Sequence, residues 1–350
     1  MKADGRSARG APRQTDWLAL GAALLTVTIW ASAFVGIRAA GADLSPGALA
    51  FGRLLVGSLA LGAVVLARRG PLPRGRELAL TVATGVVWFG GYNLALNAAE
   101  QLVEAGTAAM LVSVGPLLIV VFAGLFLGEG FPPRLLVGSL IAFAGAVVIG
   151  LAVRGGASGA DAGWGTVFSL GAAVAYAAGV TIEKPALRRA SALHVTWLAC
   201  GVGTIVTLPF APQLLAEASR APTSSLAWVV YLGVFPTALA FTTWAFALGR
   251  TNAGLLGSTT YLAPPLAIVL GWLMLGEVPP ALAVAGGAAS ILGVVVARSR
   301  SPRSARRNDR RVSLAAAPAP ELVEPGVADP EVVGDLVDHG VADDLRLPPR

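Results

Sequence analysis

The sequence predicts an all-α integral membrane protein of ten transmembrane helices, arranged as two inverted five-helix repeats. Three observations carry this: ten apolar runs of spanning length, a one-sided distribution of Lys and Arg between them, and an internal repeat with an odd number of runs per half. Hydrophobic residues make up 55% of the 350 and charged residues only 13%, where roughly 25% charged is usual for a soluble domain. The single Cys200 excludes an intrachain disulfide and a multi-thiolate metal site. With only His194 and His339 besides, no metal, cofactor or catalytic site is expected.

A hydrocarbon layer about 30 Å thick takes roughly 20 apolar helical residues at about 1.5 Å each. The first run, Trp17–Ile37, follows a basic lead (residues 1–16) and stops at Arg38. Pro46–Ala67 opens on a proline, suited to a first helical turn, and stops at Arg68. Leu78–Ala98 follows Glu77, and Glu104–Leu127 is parted from Leu135–Val153 by a Gly-Glu-Gly turn and two prolines. Gly163–Ile182 precedes Glu183 and Lys184, Leu193–Ala211 follows Arg188 and Arg189, and Leu226–Ala247 ends before Arg250. Gly254–Leu275 ends at Glu277, and Ala281–Ala297 runs from Pro280 to Arg298. The runs lack sustained alternation and are twice the spanning length of a barrel strand, so they read as helices. The basic lead and Ala31-Ser32-Ala33 also fit a signal peptide, but the run continues past that point and the repeat requires it.

Cytoplasmic loops are enriched in Lys and Arg. With the N-terminus inside, twenty-two such residues fall on the inner side and three (Arg38, Arg154 and Arg220) on the outer side. A missed or invented span would invert every later loop, so the count supports ten spans and cytoplasmic termini in the plasma (inner) membrane. Trp17, Trp164 and Trp228 begin spans and suit interfacial belts. Residues 298–350 turn from basic to acidic and Pro-rich, the composition of a disordered cytoplasmic tail.

Gly115–Glu129 and Ala263–Glu277 share seven of fifteen residues, including a Pro and a closing Leu-Gly-Glu. The same offset of 148 pairs Gly85 with Gly233, Gly138 with Gly286 and Gly145 with Gly293. At an offset of 146, Trp30 meets Tyr176 and Arg38 meets Lys184. Residues 17–153 and 163–297 are therefore two repeats of five spans each. Five is odd, so the halves enter the membrane from opposite sides, as in many secondary transporters whose site lies at the repeat interface.

Against that frame, "WASAF" (Trp30–Phe34), "FGR" (Phe51–Arg53), "WFGGYNLAL" (Trp88–Leu96) and the two Pro-to-Glu blocks acquire meaning together. The chain resembles the drug/metabolite transporter superfamily, and within it the EamA-type ten-helix transporters, over roughly residues 17–298. The resemblance implies non-ATP transport, more often export, of small metabolites such as amino acids; nucleotide-sugar and drug or cation transport are the alternatives within the superfamily. Arg38, where Lys is common, and the long acidic tail depart from the pattern. Homodimers occur among such proteins, but nothing in the sequence marks a dimer face. The expected partners are a small-molecule substrate and the bilayer, and not nucleic acid.

Substrate or pore candidates are Trp30, Arg53, Trp88, Tyr92, Asn93, Asn97, Tyr176 and Tyr261. Arg53 lies well inside a span, where a guanidinium needs a partner or a watery cavity. It faces the cavity and attracts a carboxylate or phosphate, snorkels outward, or pairs with Glu100 or Glu104. Trp88 and Tyr92, like Asn93 and Asn97, are four apart, which gives two adjacent stripes that touch substrate or bond neighbouring helices. Trp30 and Tyr176 form a substrate wall or simply pack. Pro116, Pro236 and Pro264 fall near mid-span as hinges or static kinks. Glu129 and Glu277 read as turn acids favoured by the dipole of the next helix, and Arg38 and Lys184 as cations at helix C-termini. Glu100, Glu104 and Glu183 are rim acids. Ser113, Ser258, Thr259, Thr260 and Tyr261 are polar candidates near the mid-span prolines, although Ser and Thr often bond back to their own helix.

Two other classes fare worse. "GASG" at Gly156–Gly159 with His194 imitates a serine protease, but the two lie a membrane apart in the predicted topology. No P-loop and no H-E-x-x-H is present. A scaffold or receptor would need larger loops than these, nearly all of which are shorter than fifteen residues.

Overall fold

Ten helical segments appear where the ten apolar runs were expected. They are α1 (Trp17–Gly41), α2 (Pro46–Arg68), α3 (Gly75–Leu102), α4 (Ala108–Phe126), α5 (Pro133–Ala152), α6 (Gly163–Ala186), α7 (Ala192–Ala218), α8 (Thr223–Arg250), α9 (Ala253–Thr259) and α10 (Ala281–Arg298). Among the described residues, all but α9, whose range ends at Thr259, are long and apolar enough to cross a membrane. The computed structural model describes residues 16–68, 70–103, 105–152, 160–266, 269–270 and 280–299, without the side chains of 105–107 and 160–162. Glu104, Arg154, the GASG stretch, Glu277 and the tail lie outside the described residues.

Contacts between loops sort the chain into two ends, as alternating spans require. At one end Arg250 pairs with Asp16 at 3.0 Å, Arg189 with Glu77 at 3.8 Å, and Lys184 with Glu129 at 3.5 Å. Arg134 also donates to Ser299 there, at 3.3 Å. At the other end the Ser45 amide donates to Glu217 at 2.8 Å, Ser225 to Asp43 at 2.5 Å and Gln101 to the Leu44 carbonyl at 3.0 Å. Every segment in the first group comes from the basic set of loops, and every segment in the second from the other set.

The inversion of the halves is visible in how equivalent helices touch. A Cβ on Gly138 would lie 2.5 Å from the carbonyl of Gly293, and one on Gly145 would lie 2.5 Å from that of Gly286. Ascending α5 therefore descends α10, so these equivalent helices are antiparallel, their backbones in contact where glycine removes every side chain. The reciprocity recurs elsewhere. Gly85 packs on Ala199 and Val202, and its mate Gly233 packs on Arg53 and Val56, the mates of those two.

Some residues touch their own mates and so mark the pseudo-two-fold axis. Cys200 Sγ donates to the Leu54 carbonyl at 3.3 Å, and Ser290 Oγ to the Ala142 carbonyl at 3.0 Å. The rings of Trp30 and Tyr176 stand edge to face, their centroids 6.2 Å apart. The axis thus runs from the α2/α7 contact, past the α1/α6 rings, to the α5/α10 contact.

Helices beside the axis are broken in matching places. α3 widens to a π-helix over Gly85–Tyr92 and α8 over Gly233–Leu239, a geometry that often marks functional positions. Pro236 lies inside the second segment while its mate is Trp88, so proline alone does not account for the widening. α4 is interrupted at Ser113, just before Pro116. α9 passes into a 3₁₀ turn at Thr260–Leu262, just before Pro264. Large apolar side chains point outward along the helices, among them Leu59, Leu66, Leu125, Leu140, Val174, Ile205 and Val230. A surface this apolar suits lipid. Trp17 and Trp164 are 74% and 60% exposed, as belt residues should be. Trp228 instead packs against Gly36 and Tyr231.

Candidate functional site

The axis passes through a cluster of aromatic rings contributed by α1, α3, α6 and α8. Trp30 is its hub, with centroid distances of 5.0 Å to Trp244, 5.3 Å to Phe241, 6.2 Å to Tyr176 and 6.3 Å to Trp88. Tyr92 joins through Tyr176 at 6.0 Å. The Trp30 indole donates to the Pro236 carbonyl at 3.2 Å, linking the first helix of one half to the widened helix of the other. The indole nitrogens of Trp88 and Trp244 are buried and have no hydrogen-bond partner among the described residues. Buried donors without partners are costly, and mark places where a ligand or water completes the bonding.

Beside the rings lies a polar region built almost entirely by the first half. Arg53 is 3% exposed, so it does not snorkel to a surface. Its Nε donates to Thr237 Oγ1 at 3.3 Å, and that hydroxyl donates to the Leu232 carbonyl at 2.8 Å. Pro236 has no N–H to offer the carbonyl four residues back. The Thr237 hydroxyl takes up that carbonyl and turns a lone pair toward Arg53. No carboxylate of a described residue lies within ion-pair distance of Arg53, so the expected pair with Glu100 is not formed.

Asn93, Asn97 and Glu100 occupy one stripe of α3, at i, i+4 and i+7. The Asn93 amide donates to the Phe89 carbonyl at 2.8 Å, and that of Asn97 to the Pro46 carbonyl at 3.3 Å. Both side-chain carbonyl oxygens and both Glu100 carboxylate oxygens are buried without a partner among the described residues. Of the two amides only Asn97 bonds a neighbouring helix, through its donor end, while Asn93 bonds back within α3.

Glu129, Lys184 and the ends of α8 and α9 close the basic end. Glu129 lies between Gly128 and Gly130, both at positive φ, so it does occupy a tight turn. Its carboxylate accepts from the amides of Ala253 at 2.7 Å and Gly254 at 3.1 Å. The dipole it meets is that of α9, not that of α5, the next helix. Lys184 bridges Glu129 and donates to the carbonyls of Leu248, at 3.0 Å, and Thr251. It therefore serves the C-terminus of α8 and not only that of its own helix. Arg38, the mate of Lys184, is exposed at the opposite end.

Other expectations fare unevenly. Tyr261 packs with Ala142, Ala146 and Val294, outside the ring cluster. Glu183 is fully buried, not at the rim, and its carboxylate has no partner among the described residues. Ser113, Ser258, Thr259 and Thr260 bond back to their own segments, the alternative to a pore role. His194 accepts its role from Ser191, the α7 cap, whose Oγ lies 2.5 Å from its Nδ1. Phe241, Trp244 and Thr237 escaped the sequence reading, although shifting Asn93 by 148 residues would have led to Phe241.

A family model described as the EamA-like transporter family matches residues 17–151 and again 163–299. A protein of Streptantibioticus cattleyicolor named "Probable terminal-alkyne amino-acid exporter" is 37% identical over 81% of this chain and 94% of its own length. The "Aromatic amino acid exporter YddG" of Ancylobacter novellus is 32% identical over 58% of this chain and 70% of its own. A solved crystal structure shares the fold, with a TM-score of 0.65 at 24% identity over 83% of this chain and 98% of that one.

Proposed function

The chain belongs to the EamA-like transporter family, and from that premise we propose that it exports small organic metabolites, amino acids among them, across the plasma membrane by alternating access. It is a multi-pass membrane transporter and not an enzyme. One observation supports the mechanistic reading: the Glu129 cluster ties Lys184 to the ends of α8 and α9 at the basic end. Inverted halves can exchange a closed and an open end by rocking about the axis. With the basic face cytoplasmic, this cluster serves as the closure on the cytoplasmic side.

The axis then holds the substrate between the halves. The rings offer a wall for an apolar side chain, and the buried guanidinium of Arg53 favours a carboxylate over a drug cation. The names of two relatives, both amino-acid exporters, support the same solute class.

Purified protein in liposomes should release preloaded aromatic or aliphatic amino acids without ATP. Retention of every member of a twenty-amino-acid panel by folded protein would sink the reading. Reporter fusions after Arg189 and after Arg220 should localise to opposite sides of the membrane.

A further inference from the structure

Resting on the proposed function, we infer that Arg53 and Glu100 form a two-point clamp for a zwitterion, with Arg53 taking the α-carboxylate of an amino acid and Glu100 its ammonium. Buried opposite charges on neighbouring helices gain most by direct contact, because the surroundings screen them weakly. Here they stay apart. The nearest approach of Arg53 to any described carboxylate exceeds ion-pair distance, and its only hydrogen bond among the described residues is Nε to Thr237 at 3.3 Å. Neither Glu100 oxygen has a donor among the described residues, although both are shut away from solvent.

Two neighbouring residues hold this arrangement. Thr237, fixed on the Leu232 carbonyl, draws the guanidinium toward α8 and away from α3. Asn97, one turn before Glu100, is tied to the Pro46 carbonyl at the head of α2, which fixes how α3 lies against the helix bearing Arg53. The result is a buried guanidinium and a buried carboxyl group, neither of them fully bonded among the described residues. A solute with one positive and one negative group, joined by a single carbon, satisfies both at once. A simple amine, a carboxylic acid or an N-acylated amino acid satisfies only one, and leaves the other charge buried and unpaired. The orphaned carbonyl oxygens of Asn93 and Asn97, on the same stripe as Glu100, are further acceptors for the ammonium protons.

The test uses counterflow in liposomes with L-phenylalanine, N-acetyl-L-phenylalanine and L-phenylalaninamide, after the panel above has shown amino-acid transport. Wild type should prefer phenylalanine to either derivative by about ten- to a hundred-fold, the worth of one lost charge-assisted bond. Glu100→Gln should raise the KM for phenylalanine by a similar factor and leave that for the N-acetyl derivative within about two-fold. Arg53→Lys should weaken phenylalanine and spare the amide. Thermal unfolding of each variant separates loss of the clamp from loss of the fold. If folded Glu100→Gln discriminates as wild type does, the clamp is overturned while the transport reading stands. If wild type moves no amino acid, the transport reading fails first.

Discussion

The two halves share a backbone and divide the chemistry. Each has a glycine contact between its fifth helix and its counterpart, a π-helical segment in its third helix and a break before a proline in its fourth. Their side chains part company at the site. Arg53 corresponds to Ala199, and Tyr92, Asn93, Asn97 and Glu100 correspond to Ala240, Phe241, Ala245 and Leu248. Backbone devices govern motion, which needs both halves alike. Recognition needs only one set of polar groups, so the second half supplies apolar surface instead. The difference teaches that symmetry here belongs to the machine and asymmetry to its cargo.

The largest test strikes what the halves share. Gly138→Val and its mate Gly286→Val should both abolish folded protein, at a cost above about 3 kcal/mol, because a Cβ at either would press on backbone at 2.3 Å or 2.8 Å. Gly171→Ala, which meets nothing within 4 Å, should leave detergent-solubilised protein monodisperse with an unchanged Tm. Unequal damage from the paired variants would break the mechanical equivalence.

Next comes what they do not share. Arg53→Met, which keeps the volume and removes the charge, should lower amino-acid transport about a hundred-fold, while Ala199→Ser changes it less than about three-fold. Comparable losses from both would mean that the site is symmetric after all.

A third test addresses the two ends. Glu129→Gln removes charge-assisted bonds worth about 2 kcal/mol and should raise opening of that end by roughly thirty-fold. Maleimide labelling of Leu187→Cys in a Cys200→Ser background reads this directly. Arg38→Met should leave the labelling rate unchanged.

The smallest effect concerns Asp16. Its bond to the Ala19 amide, and then Arg250 beside it, hold this exposed carboxyl below its ordinary value of 3.8. A lowered folded pKa means that its stabilisation is present above the ordinary carboxylate range and is lost as pH falls through the lowered value. Asp16→Asn should therefore lower Tm slightly at neutral pH and make no difference in strong acid, where wild type has lost the same charge.

Span lengths and the placement of Lys and Arg made the fold legible, because both answer to the bilayer and not to distant contacts. The repeat offsets picked out the glycines of the α5/α10 contact but not their pairing, which crosses Gly138 with Gly293 and Gly145 with Gly286. The π-helical segments were not legible, since Gly85–Tyr92 has no residue that demands one. Glu129 was read as serving the next helix because its true partners lie 124 and 125 positions away, a choice that packing makes. Arg53 was found, but its bond to Thr237 depends on a carbonyl freed by Pro236 in the opposite half, which no local pattern encodes.

The glycine contact of α5 and α10 also supplies a frame of reference. Two backbones that touch at Gly138, Gly145, Gly286 and Gly293 have no side chains to rearrange and no room to slide. Spin labels on Val137→Cys and Leu292→Cys, both exposed on these helices, should hold one narrow distance distribution through the whole transport cycle. Displacements elsewhere in the molecule can be measured from that stationary post.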